Sequence, residues 1–368
     1  MTSKERVQAA LKREPTDRVP IFMWFHPEMA TRLAELLEIP LALLGEAMGD
    51  DVRQTWVGNN YAMEGIVHDR EGETHVDDWG IEWIRIGSFN QIKYSPLQQA
   101  DESEIVNYQF PYHRVNDLLS QMEAVVPYAE DYFIGCDISP CLFEMLSRLR
   151  GMENAALDLV SDSKAAITFL NRTAEFAIRL GELACQRFDM DWFWTGDDVA
   201  GQKSMIMSPT CWREKIKPHL KRIFEVGRKQ NLWIAYHSCG ALRPIIPDLI
   251  DIGMDVLNPV QCNCPGMDPF MLKEEFGRDI AFMGGVDTQH LLSYGTPQQV
   301  RRATEKLLHK MCDDGGGYIL AASHTVPPET PLTNVFMMYE VAGISREEIF
   351  DRASTIRKRV PTTLSNQS

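Results

Sequence analysis

The residue types best suited to chemistry in this chain lie at Trp233-Ile234-Ala235-Tyr236-His237-Ser238-Cys239-Gly240. This is an apolar run of buried-strand length that ends in a His-x-Cys pair and a glycine. Residues two apart on a strand point to the same face, so His237 and Cys239 can present an imidazole and a thiolate side by side. That pairing suits zinc, and Gly240 lets the backbone turn away sharply behind it. The plain alternative is a core histidine beside a buried free cysteine. Two residues make only half a metal site, so the remaining ligands must come from elsewhere in the chain.

The elements that must place this pair can be read in order. Residues 3–13 carry a helical pattern, with Ser3 expected as the cap and Val7, Ala10 and Leu11 turned inward. Pro15-Thr16-Asp17 breaks it, and Val19 to Phe25 reads as a strand. Residues 27–48 are helical with an interruption at Pro40, and Asp51 to Val57 is a second strand. From Met63 to Tyr94 short alternating runs sit between turn residues such as Glu71-Gly72-Glu73 and Gly80. That pattern predicts an antiparallel excursion, with Asp78-Trp79-Gly80-Ile81-Glu82-Trp83 its most ordered piece.

From Tyr132 onward the rhythm is regular. Apolar runs recur at Phe133 to Ile138, Trp192 to Thr195, Leu232 to Tyr236, Asp255 to Val260, Ile280 to Gly285 and Tyr318 to Ala322. Segments such as 160–187, 211–229 and 297–312 between them are long enough for helices. Strands alternating with helices imply parallel pairing and right-handed crossovers. The strand count reaches eight, which closes a (β/α)8 TIM barrel in preference to an open sheet. No Gly-x-Gly-x-x-Gly follows the first strand, which weakens a dinucleotide-binding alternative. One barrel domain is expected over residues 1–368, with a polar tail from about 359.

Composition narrows the partners. The net charge of −15 opposes binding to nucleic acid or to an anionic membrane. No run approaches the roughly eighteen apolar residues of a membrane helix. The start leads directly into a charged helix and resembles no signal peptide, so a cytoplasmic protein is expected. Eight cysteines in such a chain do not make a disulfide framework and fit a reducing compartment. Cys136, Cys141, Cys185, Cys211 and Cys312 are scattered and expected to pack as small hydrophobes.

Most strands end in polar or special residues: Gly196-Asp197-Asp198, His237-Ser238-Cys239, Asn258-Pro259-Val260-Gln261, Gly284-Gly285-Val286-Asp287 and Ser323-His324-Thr325. In a (β/α) barrel these ends open onto one face, where chemistry is done. Asp197 and Asp198 suit acid–base work or hydrogen bonding, with helix capping as the alternative. Asn258, Gln261 and Asp287 are candidates for holding a cofactor. Cys262 and Cys264 could enter a metal shell, but the preferred reading leaves them in the loop. Trp24, Phe25, Trp192, Trp194 and Tyr236 supply aromatic surface near the mouth, mostly as core.

Several stretches resemble the uroporphyrinogen decarboxylase superfamily, especially its cobalamin-dependent methyltransferase branch. They are Lys4-Glu5-Arg6-Val7 with Asp17-Arg18-Val19-Pro20, Asp78-Trp79-Gly80, Leu149-Arg150-Gly151-Met152-Glu153-Asn154 and Gly196-Asp197-Asp198. Further on come His237-Ser238-Cys239-Gly240, Asn258-Pro259-Val260-Gln261, Gly284-Gly285-Val286-Asp287 and Thr330-Pro331-Leu332-Thr333-Asn334. The resemblance implies a (β/α) barrel, in agreement with the strand count. The decarboxylases carry an Arg-Gln-Ala-Gly-Arg stretch after the first strand, where this chain reads Phe22-Met23-Trp24-Phe25-His26-Pro27 without arginine. A tetrapyrrole rich in carboxylates would leave charges unpaired there, so decarboxylation is disfavoured.

The methyltransferase branch carries the His-x-Cys pair. Its coenzyme M members have a third ligand, a cysteine, near the end of the last strand, where His324 stands here. The resemblance therefore implies zinc on His237, Cys239 and His324, with Glu144 a candidate fourth ligand. Glu144, Asp197 and Asp198 are the candidate catalytic carboxylates. The implied reaction moves a methyl group between a small methylated ether, amine or thioether and the cobalt of a cobalamin. No Asp-x-His-x-x-Gly loop is present, so the corrinoid is expected on a separate corrinoid protein. Demethylation of the substrate is the expected direction, because two imidazoles and one thiolate leave zinc more electrophilic than two thiolates would. The alternatives are thiol methylation, a metal-free decarboxylase and a non-catalytic metal-binding barrel. Self-association into a homodimer is also admitted.

Overall fold

The computed structural model describes residues 1–59, 68 and 70–360. Seven parallel strands pair in chain order: β1 (Val52–Trp56), β5 (Phe133–Asp137), β6 (Trp192–Gly196), β7 (Trp233–His237), β8 (Val256–Val260), β9 (Ala281–Val286) and β10 (Tyr318–Ala322). Between β1 and β5 lie three antiparallel strands, β2 (Thr74–Val76), β3 (Glu82–Ile86) and β4 (Phe89–Tyr94).

The expected strand at Val19 to Phe25 closes the barrel, though only as bridges. Ile21 pairs with Leu320 and Phe25 with Val326, both parallel. Phe22 N donates to Leu320 O at 3.1 Å, and Asp51 N donates to Ile21 O at 2.8 Å. The segment thus joins the last strand to the first, giving the eight-membered ring of a TIM barrel. Pro20 cannot donate to a ladder, which helps explain why regular pairing is interrupted here.

Side chains alternate between two cores, as the two-residue period of a strand requires. Inside the ring pack Phe22, Val52, Phe133, Trp192, Trp194, Ala235, Met283 and Ala321, all buried. Val7 and Leu11, from the helix Ser3–Leu11, join the same cluster and close the amino-terminal end of the barrel. Alternate residues such as Ile134, Phe193, Ile234, Tyr236 and Leu257 face outward into the larger core beneath the helices. Each large apolar side chain so buried contributes about 1.5–3 kcal/mol relative to exposure.

Helix boundaries follow local chemistry. Thr2, not Ser3, caps the first helix, because its hydroxyl and the Glu5 carboxylate form a reciprocal box. Residues 27–48 divide at Pro40 into Pro27–Leu37, a short 3₁₀ turn and Leu44–Met48. The antiparallel excursion is present from Thr74 to Tyr94, and its expected start at residues 63–67 lies outside the described residues. Trp83 and Ile81 are buried beneath it. The expected polar tail also lies outside the described residues from 361 onward. Among the described residues no helix is long and apolar enough to cross a membrane.

At the amino-terminal end, the fully buried Asp51 accepts from Arg6 Nη1 at 2.6 Å, Arg18 Nη1 at 2.7 Å and Ile21 N at 2.9 Å. Its neighbour Asp50 is also buried and accepts from Tyr339 Oη at 2.7 Å. Burial pushes the Asp50 carboxyl up to about 7, aided by Asp51 and opposed by Tyr339, Arg53 and Arg18. A carboxyl with a higher pKa folded than unfolded stabilises the fold only while it is protonated. Its contribution is full below the unfolded value of 3.8 and is lost as pH rises through about 7. Denaturant unfolding between these limits should therefore show stability falling with pH. Asp50→Asn should flatten that slope, and an unchanged slope would place the titration elsewhere.

Candidate metal centre

His237 ends β7 and Cys239 lies two residues beyond, both turned over the carboxyl end of the barrel. Gly240 makes the turn with φ +92°, and a Cβ there would meet the Gly201 carbonyl oxygen at 2.6 Å. Only glycine fits both the backbone angle and that approach. His324 follows β10. Although β8 and β9 separate those strands, the curvature of the ring brings the ligand atoms of His237, Cys239 and His324 within 4.8 Å of one another.

The surroundings prepare these side chains as donors. Asn258 stands beside His237 in register on β8, and its Oδ1 lies 2.7 Å from His237 Nδ1. The amide oxygen can only accept, so Nδ1 carries the proton and the Nε2 lone pair faces Cys239 Sγ at 3.5 Å. Trp24, on the closing segment, stacks on His237 with centroids 5.5 Å apart. Burial, with the neighbouring His237, lowers the His324 pKa to about 4, leaving a neutral imidazole at physiological pH. Two imidazoles and a half-exposed thiol form a donor set that fits zinc.

The carboxylates are arranged around this cluster. Asp198 Oδ1 accepts from Cys239 N at 2.8 Å and lies 3.9 Å from His237 Nε2. Glu144 engages Arg148 through one oxygen and accepts from Asp198 N through the other at 3.3 Å. Asp197 is fully buried, and its Oδ1 accepts from Glu144 N at 2.7 Å. Burial pushes the Asp197 carboxyl up to about 8. Gln261 Oε1 accepts from Gly240 N at 2.7 Å, fixing the turn after Cys239. Asp287 caps the helical turn Thr288–Leu292 and accepts from Asn263 Nδ2 at 2.6 Å.

Cys262 and Cys264 do not join the three-donor cluster; Cys262 Sγ contacts Asn263 instead. Trp192, Trp194 and Tyr236 are fully buried, so Trp24 is the aromatic side chain from that group set against the donors. Sequence reasoning missed Arg148, Asn59 and Asp137. Asp137, buried at the end of β5, holds Ser139 N at 2.8 Å. Its position at a strand's carboxyl end was the available signal.

This barrel, with polar groups gathered at one end, belongs to the uroporphyrinogen decarboxylase (URO-D) family, whose model matches residues 133–343. Within it, the similarities lie with the methyltransferase branch. The methylcobamide:CoM methyltransferase MtbA of Methanosarcina mazei is 24% identical over 93% of this chain and 97% of that protein. A methylated-thiol–coenzyme M methyltransferase of the same organism is 24% identical over 52% of this chain, a match spanning 48% of that relative. A solved methyltransferase from Methanosarcina mazei superimposes with a TM-score of 0.68 at 19% identity, covering 93% of this chain and 98% of its own.

The Asn258–His237 contact gives a direct test of how the donors are prepared. Asn258→Ala should weaken metal binding by roughly 10- to 100-fold while leaving the fold intact. Zinc competition against a chromophoric chelator measures this, and unchanged affinity would remove Asn258 from the site.

Proposed function

We propose that this chain is a zinc-dependent, corrinoid-linked methyltransferase that removes a methyl group from a small ether, amine or thioether. The acceptor would be the cobalt of a separate corrinoid protein. The observation carrying this reading is the convergence of His237, Cys239 and His324, with the His237 tautomer set by Asn258. Zinc held by one thiolate and two neutral imidazoles would keep about one positive charge and supply Lewis acidity suited to a departing oxygen or nitrogen.

In this reading the protein's own groups mainly position and exclude. Trp24, Phe22 and Met283 pack beside His237 and His324 and seal the barrel interior from water on that side. Asp198 holds the Cys239 backbone, Gln261 holds the following turn, and Glu144 steadies Asp198. Asp197 anchors the helix Phe143–Arg150 that carries Glu144. Asp287 shapes the rim of the mouth through the turn it caps. The absence of arginine from Phe22 to Pro27 argues against a decarboxylase handling a polycarboxylate.

The isolated protein should bind about one zinc per chain, and Cys239→Ala should lose both metal and activity. Elemental analysis decides, and full zinc content in that variant would refute the ligand assignment.

Thiol methylation is the second reading, favoured by the names of both Methanosarcina mazei relatives. His324→Cys separates the two, since it would add a thiolate to the donor set. The natural protein should methylate cob(I)alamin faster than it methylates a thiol from methylcobalamin, and the variant should shift toward the thiol reaction. If the natural protein already favours the thiol and the variant merely loses both rates, the demethylation reading fails.

A further inference from the structure

Resting on that reading of His237, Cys239 and His324, we propose that Arg148 is a positioning residue for Cys239. It acts through Glu144 and Asp198 and ties the helix Phe143–Arg150 to the antiparallel excursion. Arg148 lies on the helix Phe143–Arg150 and is 3% exposed. Its guanidinium has partners on two sides. Nη2 donates to Glu144, whose other oxygen accepts from Asp198 N at 3.3 Å. Asp198 in turn accepts from Cys239 N at 2.8 Å.

On the other side, Arg148 Nη1 donates to Asn59 Oδ1 at 2.8 Å, and Asn59 Nδ2 donates to Asp77 Oδ2, also at 2.8 Å. Guanidinium can only donate and carboxylate can only accept, so the Asn59 amide has one workable orientation. The same Asp77 oxygen accepts from Trp83 Nε1 at 2.8 Å, and the Arg148 guanidinium lies 5.6 Å from the Trp83 ring centroid. Asp77 Oδ1 receives Trp79 N and Ile81 N, both at 2.9 Å, so it is fixed by the turn leading into β3.

A buried cation is costly, and an apolar side chain of similar volume would often pack as well. Here the charge accomplishes something an apolar group cannot. It pins one Glu144 oxygen so that the other is aimed at the Asp198 backbone. Loss of Arg148 frees Glu144 to rotate toward solvent and loosens Asp198, and with it the Cys239 backbone that Asp198 holds.

Arg148→Met and Arg148→Lys can be compared with the natural protein by two measurements. The first is iodoacetamide alkylation of each cysteine in metal-free protein, read by peptide mass mapping. The second is Co²⁺ titration followed by thiolate-to-cobalt absorption. Arg148→Met should raise alkylation at Cys239 several-fold, leave the other cysteines at their natural rates and weaken Co²⁺ binding about tenfold. Arg148→Lys keeps the charge without the fork and should fall between. Unchanged Cys239 reactivity and Co²⁺ affinity, or equal acceleration at every cysteine, would overturn the proposal. Should Arg148→Met fail to fold, Arg148→Lys and Asn59→Ala carry the same test. If the natural protein takes up no cobalt, or Cys239→Ala takes up as much, the metal reading fails while alkylation still decides the role of Arg148.

Discussion

Asp51 bears on the rest of the architecture because it secures the barrel where regular pairing is thinnest. The closing segment meets Leu320 of β10 and Val326 beyond it through one bridge each, and meets the residue before β1 through Asp51 N and Ile21 O. The Asp51 carboxylate adds Ile21 N to that junction and draws in Arg6 and Arg18 from the elements preceding it. A buried carboxylate with two guanidinium partners is stable only while all three remain in place. Closure in turn sets the curvature that brings His324 on one side of the ring and Trp24 on the closing segment to His237. A relaxed, open sheet would leave β7 and β10 two strands apart, with no reason for their ends to meet.

The same closure separates the tasks of the two ends. The amino-terminal end is plugged by Val7 and Leu11 and tied by ion pairs, while the stem is filled by Phe133, Trp192 and Trp194. Such a stem is filled by apolar and aromatic side chains, and polar groups gather where the strands end. There Asn258 engages His237, Asp198 engages Cys239 and Gln261 engages Gly240. Asp198 is in turn engaged by Glu144, so the contact on Cys239 is itself supported.

Much of the architecture was legible because the strands obey short apolar periods and their ends change abruptly in character. Strand limits moved by a residue or two: β7, for example, runs through His237 where the apolar pattern stopped at Tyr236. The closing segment looked like an ordinary strand because Val19 to Phe25 is largely apolar, yet apolar character does not report how few ladder bonds form. His237 and Cys239 were readable from spacing alone. His324 required the resemblance, because a lone histidine at a strand end carries no local signature. Arg148 and Asn59 were invisible, since 89 residues separate them and neither belongs to a local motif. Their partnership is a product of the excursion folding back over the helix.

The charge carried by the donor set can be argued from two positions rather than one. His324 contributes a neutral imidazole where a cysteine would bring a thiolate. Asn258 contributes an amide behind His237 where a carboxylate would push negative charge into the ring. Both choices would leave a cation held there less neutralised. Asp198 opposes them, since its Oδ1 lies 3.9 Å from His237 Nε2. Its influence is blunted, however, because the side chain is 39% exposed and that oxygen already accepts from Cys239 N. Water screens the remaining charge, whereas the His237–Asn258 contact is made by a buried amide. Under the proposed reading, zinc held here would be electron-poor, the property that polarising a leaving heteroatom requires.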